Sequence, residues 1–350
     1  VHGTQDSEAR LRFKRLLEAA KRGDSEAAFR LAHLYETGEA TRQDDAAAAN
    51  WYRYAAERGY AQAQYSLGSL FENGKGVPQD TEQAAVWYRK AAEQGLARAQ
   101  YQLGLLYDDG VGVAPDYAEA AAWYRRAAEQ GIPSAQFNLG GMYYEGNGVP
   151  QDFTQAALWY RRAAEQGEAL AQNNLGVMYR KGIGVEQSFT EAARWFRQAA
   201  EQGDAWGQTN LAGLYGEGLG VSRDFAEAAL WYRRAAEQGD AEAQFSLGLM
   251  YSLGQGVVRS DGDAAWWLEK SAAQGNVEAQ YRLSVLYEEG RGVPRDYVSA
   301  LMWAGLAATQ GYEPAIRARQ SLLARMSAAE VDAARQRIEE WGMAAGLSQD

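Results

Sequence analysis

Between residues 96 and 131 the apolar and small positions fall into two helical stretches joined by a glycine-rich turn. In the first, Ala99, Leu103, Leu106 and Tyr107 recur at the spacing of one helix face, which predicts a helix A over Ala97–Asp108. Gly110 and Gly112 end it, the first where a left-handed residue closes a helix. In the second, Ala120, Trp123, Tyr124, Ala127 and Ala128 are placed for packing, and Gly131 stops this helix B. Large rings facing alanines suit interdigitated helix pairs. Asp116 and Glu119 have the spacing of a capping box at the start of helix B. Asp80 with Gln83, Asp152 with Gln155, Ser188 with Glu191 and Asp224 with Glu227 repeat the device.

The whole pattern recurs with one period. Its closing glycine stands at Gly23, Gly59, Gly95, Gly131, Gly167, Gly203, Gly239, Gly275 and Gly311, each step being 36 residues. Tryptophan keeps the same step at Trp51, Trp87, Trp123, Trp159, Trp195, Trp231, Trp267 and Trp303, so no repeat carries an insertion. Eight repeats of this size mark a solenoid, in which each unit contacts mainly its neighbours and the usual product is a long binding surface. A small residue follows the core leucine of helix A at Gly68, Gly104, Gly140, Gly176, Ala212, Gly248 and Ser284, which lets a neighbouring helix come close.

The period fails at both ends. Residues 1–6 are short and polar and are expected to be poorly ordered, and Ser7–Arg22 aligns with a helix B in which Arg15 takes the tryptophan slot. Residues 1–23 are therefore expected to form an N-terminal half-repeat cap, 24–311 the eight repeats, and 312–350 C-terminal capping helices. Tyr312–Arg325 reads as a last helix A. Ser327 and Glu330 begin a longer helix through Trp341, with Val331, Ala334, Ile338 and Trp341 on one face, and Gly342–Asp350 are expected to fray.

Two segments carry a family likeness. Ala99–Val113 reads AQxxLGxLYxxGxGV, and the stretch ending at Gly131 reads AAxWYRxAAEQG. With them the chain resembles the Sel-one-like repeat (SLR) proteins, relatives of the tetratricopeptide repeats, over residues 24–311. The resemblance implies an all-α, right-handed α-solenoid of antiparallel helix pairs, eight 36-residue repeats plus caps. It also implies an adaptor that holds a protein or peptide in a concave groove, in a bacterial periplasmic or secreted setting. The alternative it allows is an inhibitor or immunity partner of a secreted or periplasmic bacterial effector enzyme. Ala40 in place of the second loop glycine, Gly207 in place of the helix A alanine, and Leu268 and Ala304 in the tyrosine slot depart from the pattern.

Composition narrows the partner. The 35 Lys and Arg against 46 Asp and Glu leave a net charge of −11, which repels a phosphate backbone, so no nucleic acid is expected. No stretch supplies the roughly 20 apolar residues of a membrane-spanning helix. The absence of cysteine excludes disulfides and thiolate metal sites and suits the cytoplasm as well as the periplasm. The chain begins at Val1 without methionine, which is compatible with a removed leader, and it is expected to be monomeric without its partner.

Candidate chemistry gives way to structural readings. The recurring GxG, as in Gly146-Asn147-Gly148, links two helices and lacks the strand and third glycine of a dinucleotide site. Arg53, Arg89, Arg125, Arg161, Arg197 and Arg233 form a stripe, but each has a glutamate four residues on, from Glu57 to Glu237, so the face is expected to be charge-balanced. Only His2 and His33 could supply imidazole, and carboxylate pairs such as Asp108 with Asp109 or Glu288 with Glu289 have nothing specific beside them. No enzyme, cofactor or metal is expected.

What remains is variation within the repeat. On a helical wheel of about 100° per residue with Ala171 at zero, Leu170, Asn174, Val177 and Lys181 lie beside the core face, and by resemblance to tetratricopeptide repeats this stripe lines the groove. Asn138, Asn174 and Asn210 form a ladder there whose amides can pair with an extended peptide. Trp206 stands where other repeats have Gln62, Arg98, Ser134, Leu170, Glu242 and Glu278. The adjacent aromatic slot of Tyr65, Tyr101, Phe137, Phe245 and Tyr281 becomes Asn173 and Thr209 in repeats five and six. The candidate partner-binding set is Asn138, Leu170, Asn173, Asn174, Lys181, Trp206, Thr209, Asn210 and Glu217. Drift, or Trp206 filling a gap left by Gly207, stands beside the reading of an anchor.

Overall fold

A computed structural model describes residues 2–344 of the chain, with side chains over 8–341. Among these residues there are nineteen helices and no strand. An N-terminal helix, α1 (His2–Lys21), precedes the repeats. The first four pairs are α2 (Ser25–Thr37) and α3 (Asp45–Glu57), α4 (Ala61–Asn73) and α5 (Thr81–Glu93), α6 (Ala97–Asp109) and α7 (Tyr117–Glu129), α8 (Pro133–Glu145) and α9 (Phe153–Glu165). The next four are α10 (Ala169–Lys181) and α11 (Phe189–Glu201), α12 (Ala205–Glu217) and α13 (Phe225–Glu237), α14 (Ala241–Leu253) and α15 (Asp261–Ala273), α16 (Val277–Glu289) and α17 (Tyr297–Thr309). The closing helices are α18 (Glu313–Leu323) and α19 (Ala328–Ala344).

The described residues fall into two compact units. One runs through Ala171 and includes Ile183–Val185; the other comprises Gln172–Gly182 and the chain from Glu186 onward. Each is a stack of antiparallel helix pairs in which consecutive helices pack on one another. In the first unit, Trp123 is 6% exposed among Ala91, Ala99, Leu103, Leu139, Met142 and Trp159, so its ring joins its own repeat to its neighbours. The second unit repeats the arrangement, with Trp231 against Ala193, Phe196 and Leu211, and Trp267 against Ala229, Ala243 and Leu247.

The invariant-looking glutamines of the motif have a joint function. Gln100, buried on α6, donates through Nε2 to the Ala92 carbonyl at the end of α5 in the preceding repeat (3.1 Å) and accepts through Oε1 from Gln130 Nε2 at the end of its own repeat (2.7 Å). The same bond recurs from Gln94 to Gln64 and Gln166 to Gln136 in the first unit. In the second it runs from Gln202 to Gln172, Gln238 to Gln208, Gln274 to Gln244 and Gln310 to Gln280. Each buried amide also donates to a carbonyl of the preceding repeat, as Gln64 to Ala56 and Gln136 to Ala128, and so is satisfied only if the two repeats are in register. Gln100→Leu removes the bonds to Ala92, whose carbonyl keeps the Gly95 N–H, and to Gln130, which keeps the Gly95 carbonyl, and is expected to cost about 1 kcal/mol, read as a shifted urea midpoint at constant slope.

The loop glycines are where the sequence placed them, and among the described residues no other residue type takes positive φ. The second one of each loop is fixed by contact as well as by φ: a Cβ on Gly148 would collide with the Tyr117 carbonyl at the start of the preceding helix B. Ala40, which stands in this slot in the first repeat, does not take the positive φ of its glycine equivalents.

Three expectations need correction. The first is that α1 begins at His2, so residues 2–6 extend the helix, each added residue gaining a backbone bond once a helix exists; Val1 lies outside the described residues. At the other end α19 includes Gly342–Ala344, and 345–350 lie outside the described residues. The second correction concerns the capping boxes of the repeats, which are half-used. Asp116 Oδ1 accepts from Ala118 and Glu119 (2.9 and 3.1 Å), but its own N–H donates to the Tyr107 carbonyl (2.9 Å), not to Glu119. Only Ser327 with Glu330 closes a reciprocal box among the described residues.

The third is the arginine stripe, in which Arg89, Arg125, Arg197 and Arg233 turn to the next repeat and not to the glutamate four residues on. Arg197 and Arg233 donate to the hydroxyls of Tyr215 and Tyr251 in the next repeat (2.6 Å each), and Arg89 and Arg125 reach Tyr107 and Tyr143 likewise. Each guanidinium also lies 5.5–5.9 Å from that ring's centre. A partly desolvated ring offers more than a solvated glutamate, whose exposed ion pair contributes little.

Candidate partner-binding face

The candidate residues divide between the units. Asn138 and Leu170 belong to the first; Asn173, Asn174, Lys181, Trp206, Thr209, Asn210 and Glu217 belong to the second. Within the second unit the geometry centres on the start of α12. Its N-cap, Asp204, accepts from the Gly207 N–H (2.6 Å), which places Trp206 in the first turn, 59% exposed. The gap-filling alternative for Trp206 fails on space: a Cβ on Gly207 would come within 2.7 Å of the Ala199 Cβ, so there is no void for an indole to fill. Gly207 is glycine because α11 is close.

Asn173 and Thr209 form a polar network in place of a ring. In the first unit the same slot stacks on the helix B aromatic of its repeat, as Tyr65 on Tyr88, Tyr101 on Tyr124 and Phe137 on Tyr160, with ring centres 5.5–5.9 Å apart. In the second, buried Asn173 accepts from Asn210 Nδ2 (2.9 Å), and Thr209 Oγ1 donates to Asp240 (3.0 Å), which also caps α14 through Ala243 (2.7 Å). Asn173 and Thr209 are thus committed internally, and Asn210 has one N–H already used. Asn174 is half-buried with no such bond among the described residues, so its amide is the free member of the ladder. Lys181 and Glu217 are exposed at the far ends of their helices.

The field on this face is acidic at the starts of α12, α14 and α16. Burial, reinforced by Asp240, holds the Asp204 carboxyl above the usual carboxylate range despite the Gly207 bond. Burial also raises Glu242, with Asp240 and Glu278 adding to it. Further along, Tyr232 has its phenol raised by burial, with Glu242 and Glu217 acting in the same direction and Arg180 against them.

Other chemistry-bearing groups are engaged elsewhere. Tyr52, Tyr88 and Tyr124 donate to Glu36, Glu72 and Asp108 (2.7, 2.6 and 3.0 Å), and each phenol is pushed upward, chiefly by burial. Glu288 pairs with Arg325, and Glu289 with Arg291 (3.1 Å). His33 is exposed beside Glu36 (3.7 Å). Among the described residues no group of three or more His, Cys, Asp or Glu could hold a metal, and no helix is long and apolar enough to cross a membrane. A cleft of 570 Å³ in the second unit is lined by Arg197, Tyr215, Arg223, Asp224 and Trp231, and none of the candidate residues lines it.

The sequence reading overlooked one residue. Trp266, 51% exposed on α15, stands where other repeats have Asn50, Val86, Ala122, Leu158, Arg194, Leu230 and Met302. The slot-by-slot comparison that singled out Trp206 finds it too. Its face is covered by Lys270 at 4.4 Å and its edge by Trp267 at 4.3 Å.

Known proteins bear out the repeat. The Sel1 repeat model matches residues 25–60, 61–96, 97–132, 133–168, 169–204, 207–240, 241–276 and 277–312, and the chain belongs to the Sel1 repeat family. Ala205 and Trp206 fall between two of these matches. A Sel1 repeat protein from Oxalobacter formigenes is 36% identical, over 88% of this chain and 89% of that one, with a TM-score of 0.68. A protective antigen present in uropathogenic Escherichia coli strains, displaying an SLR fold, is 31% identical over 95% and 94%, with a TM-score of 0.61. An immunity protein from Pseudomonas aeruginosa is 21% identical over 63% and 82%, with a TM-score of 0.34, too low to carry an argument. No curated protein matches the chain. Sel1 repeat solenoids are in general non-catalytic scaffolds for protein interaction.

Proposed function

We propose that this chain is a non-enzymatic scaffold that binds a protein or peptide segment on the helix A face of its second unit, with Trp206 as the anchor. The observation that carries the reading is a tryptophan 59% exposed, in a slot that is otherwise polar or aliphatic, with no void behind it to explain it by packing. A large indole on the same helix A stripe as a half-buried amide, Asn174, is the composition of an interface hot spot flanked by groups that pair with backbone. The monomeric state without partner and the periplasmic or secreted setting belong to the same proposal; the bacterial relatives support its bacterial part. An inhibitor or immunity role would use the same face and differ in its readout, stoichiometric loss of the partner's activity.

The test is a pulldown with the full chain followed by affinity measurement on the retained partner. Trp206→Ala with Asn174→Ala is expected to weaken binding by at least about 2 kcal/mol with the helical signal and melting midpoint nearly unchanged. Glu237→Ala, on the exposed side of α13, is the control and is expected to stay within about 0.5 kcal/mol of wild type. A control that weakens the complex while the paired variant does not would move the site to the helix B side. A paired variant that mainly lowers the midpoint would return Trp206 to the core.

A further inference from the structure

The chain shows what its own tryptophans are paired with. Lys90 lies over Trp87 at 4.0 Å, Arg126 over Trp123 at 4.3 Å, Arg162 over Trp159 and Arg234 over Trp231 at 4.5 Å each, and Lys270 over Trp266. The cation comes from three or four residues further along the same helix. Trp195 has Arg194 at 4.4 Å, and Trp51, Trp267, Trp303 and Trp341 have ring neighbours. Among the described residues Trp206 is the tryptophan with neither. Three and four residues on stand Thr209 and Asn210, both uncharged and both hydrogen-bonded to other groups. No cation on α12 can cover this ring.

The opposite charge is in surplus around it. Asp204 is two residues away, Asp240 takes the Thr209 hydroxyl, and Glu242 and Glu278 occupy the slot of Trp206 in the next two repeats. None of the four has an ion pair among the described residues. Arg282, one turn beyond Glu278, instead lies over the Phe245 ring at 6.0 Å. Asp240 raises the carboxyl of Asp204, and Asp240 and Glu278 raise that of Glu242, each secondary to burial, so the four share one field. The 3.0 Å bond from Thr209 on α12 to Asp240 at the start of α14 ties two of these helix starts together.

We infer that the partner supplies the missing cation: a lysine or arginine side chain of an extended polypeptide segment, stacked on the Trp206 ring and flanked by Asp240, Glu242 and Glu278. The inference rests on the binding face proposed above and names the chemistry of what binds there. Arginine suits the site better than lysine, since a planar guanidinium can stack on the indole while its edge donates to a carboxylate.

Fluorescence anisotropy with three labelled peptides of equal length tests it, alike except for arginine, citrulline or glutamate at the same places. They are titrated against the full chain, against Trp206→Leu and against Glu242→Gln with Glu278→Gln, each checked for unchanged helical signal. The arginine peptide is expected to bind about tenfold or more tightly than the citrulline peptide, to lose about fivefold or more in either variant, and to weaken with added salt. The glutamate peptide is expected to bind weakest. Equal affinity for arginine and citrulline, no binding of the arginine peptide, or arginine binding unchanged in both variants overturns the inference. The pulldown partner separates the two levels. If it is lost by Trp206→Ala but indifferent to the glutamine variant and to salt, the face binds by other chemistry and this inference alone falls. If it ignores Trp206→Ala with Asn174→Ala, the binding face itself is wrong.

Discussion

Trp123→Ala is expected to lower the unfolding free energy by about 3–5 kcal/mol, the cost of emptying a space the size of a buried indole. The ring is 6% exposed and belongs to one core cluster that runs through three successive repeats, from Ala91 to Trp159, so the loss falls within a core shared between repeats. Two features set where in that range the result lies. The indole N–H is buried without an acceptor, so its removal returns part of a desolvation cost, whereas Arg126 loses the ring it covers at 4.3 Å. Both are small against the cavity, which the alanines on neighbouring helices cannot close by changing rotamer. Denaturant unfolding checks it. A change under about 1 kcal/mol would mean that the tryptophan period marks an exposed face and the packing assigned to it is wrong.

The second large effect is expected from a single methyl group. Gly148→Ala should cost about 3 kcal/mol or more, and Gly131→Ala about 1 kcal/mol, although both residues have positive φ (+69° and +92°). A Cβ at Gly131 meets nothing within 4 Å, so its cost is the backbone conformation alone. At Gly148 the same methyl meets the Tyr117 carbonyl, and relief requires one repeat to move away from the next. The difference between the two alanine variants in one denaturant series therefore isolates the inter-repeat contact. Equal costs would show that the loop has room and that φ alone selects glycine there.

Repeat length, helix boundaries and the three glycine slots were legible in the sequence because periodicity states a local rule many times over. Contacts between repeats were less so. Arg89, Arg125, Arg197 and Arg233 stand four residues from glutamates, and a helical wheel pairs them; the structure sends them to the next repeat's tyrosine, a partner eighteen positions on that no local rule indicates. The unused half of the capping boxes has the same origin, since Tyr107 and its equivalents compete for the N–H from the preceding helix. Of the candidate face, Trp206 was legible by comparison among slots and Trp266 would have been. The commitment of Asn173 to Asn210 and of Thr209 to Asp240 was not, because it depends on which neighbour a small polar side chain meets once a ring is absent.

The glutamine bonds separate the molecule's joints from its reading surface. The first repeat has Ala28 where Gln64 and its equivalents stand, and Ile316 holds that place in α18, so the joints in which a glutamine amide donates to a carbonyl of the preceding repeat, from Gln64 to Gln280, are internal and the ends carry apolar residues instead. Within each unit these joints have the same donor and acceptor, a glutamine Nε2 and the carbonyl eight residues before it. A gene encoding such a chain can gain or lose a whole 36-residue segment by unequal recombination and still present a glutamine amide and its acceptor carbonyl at the new junction. Residues such as Trp206 and Asn174 take no part in those joints and are free to change from copy to copy. Length and specificity can therefore evolve on separate sets of residues, with the fold making no demand that couples them.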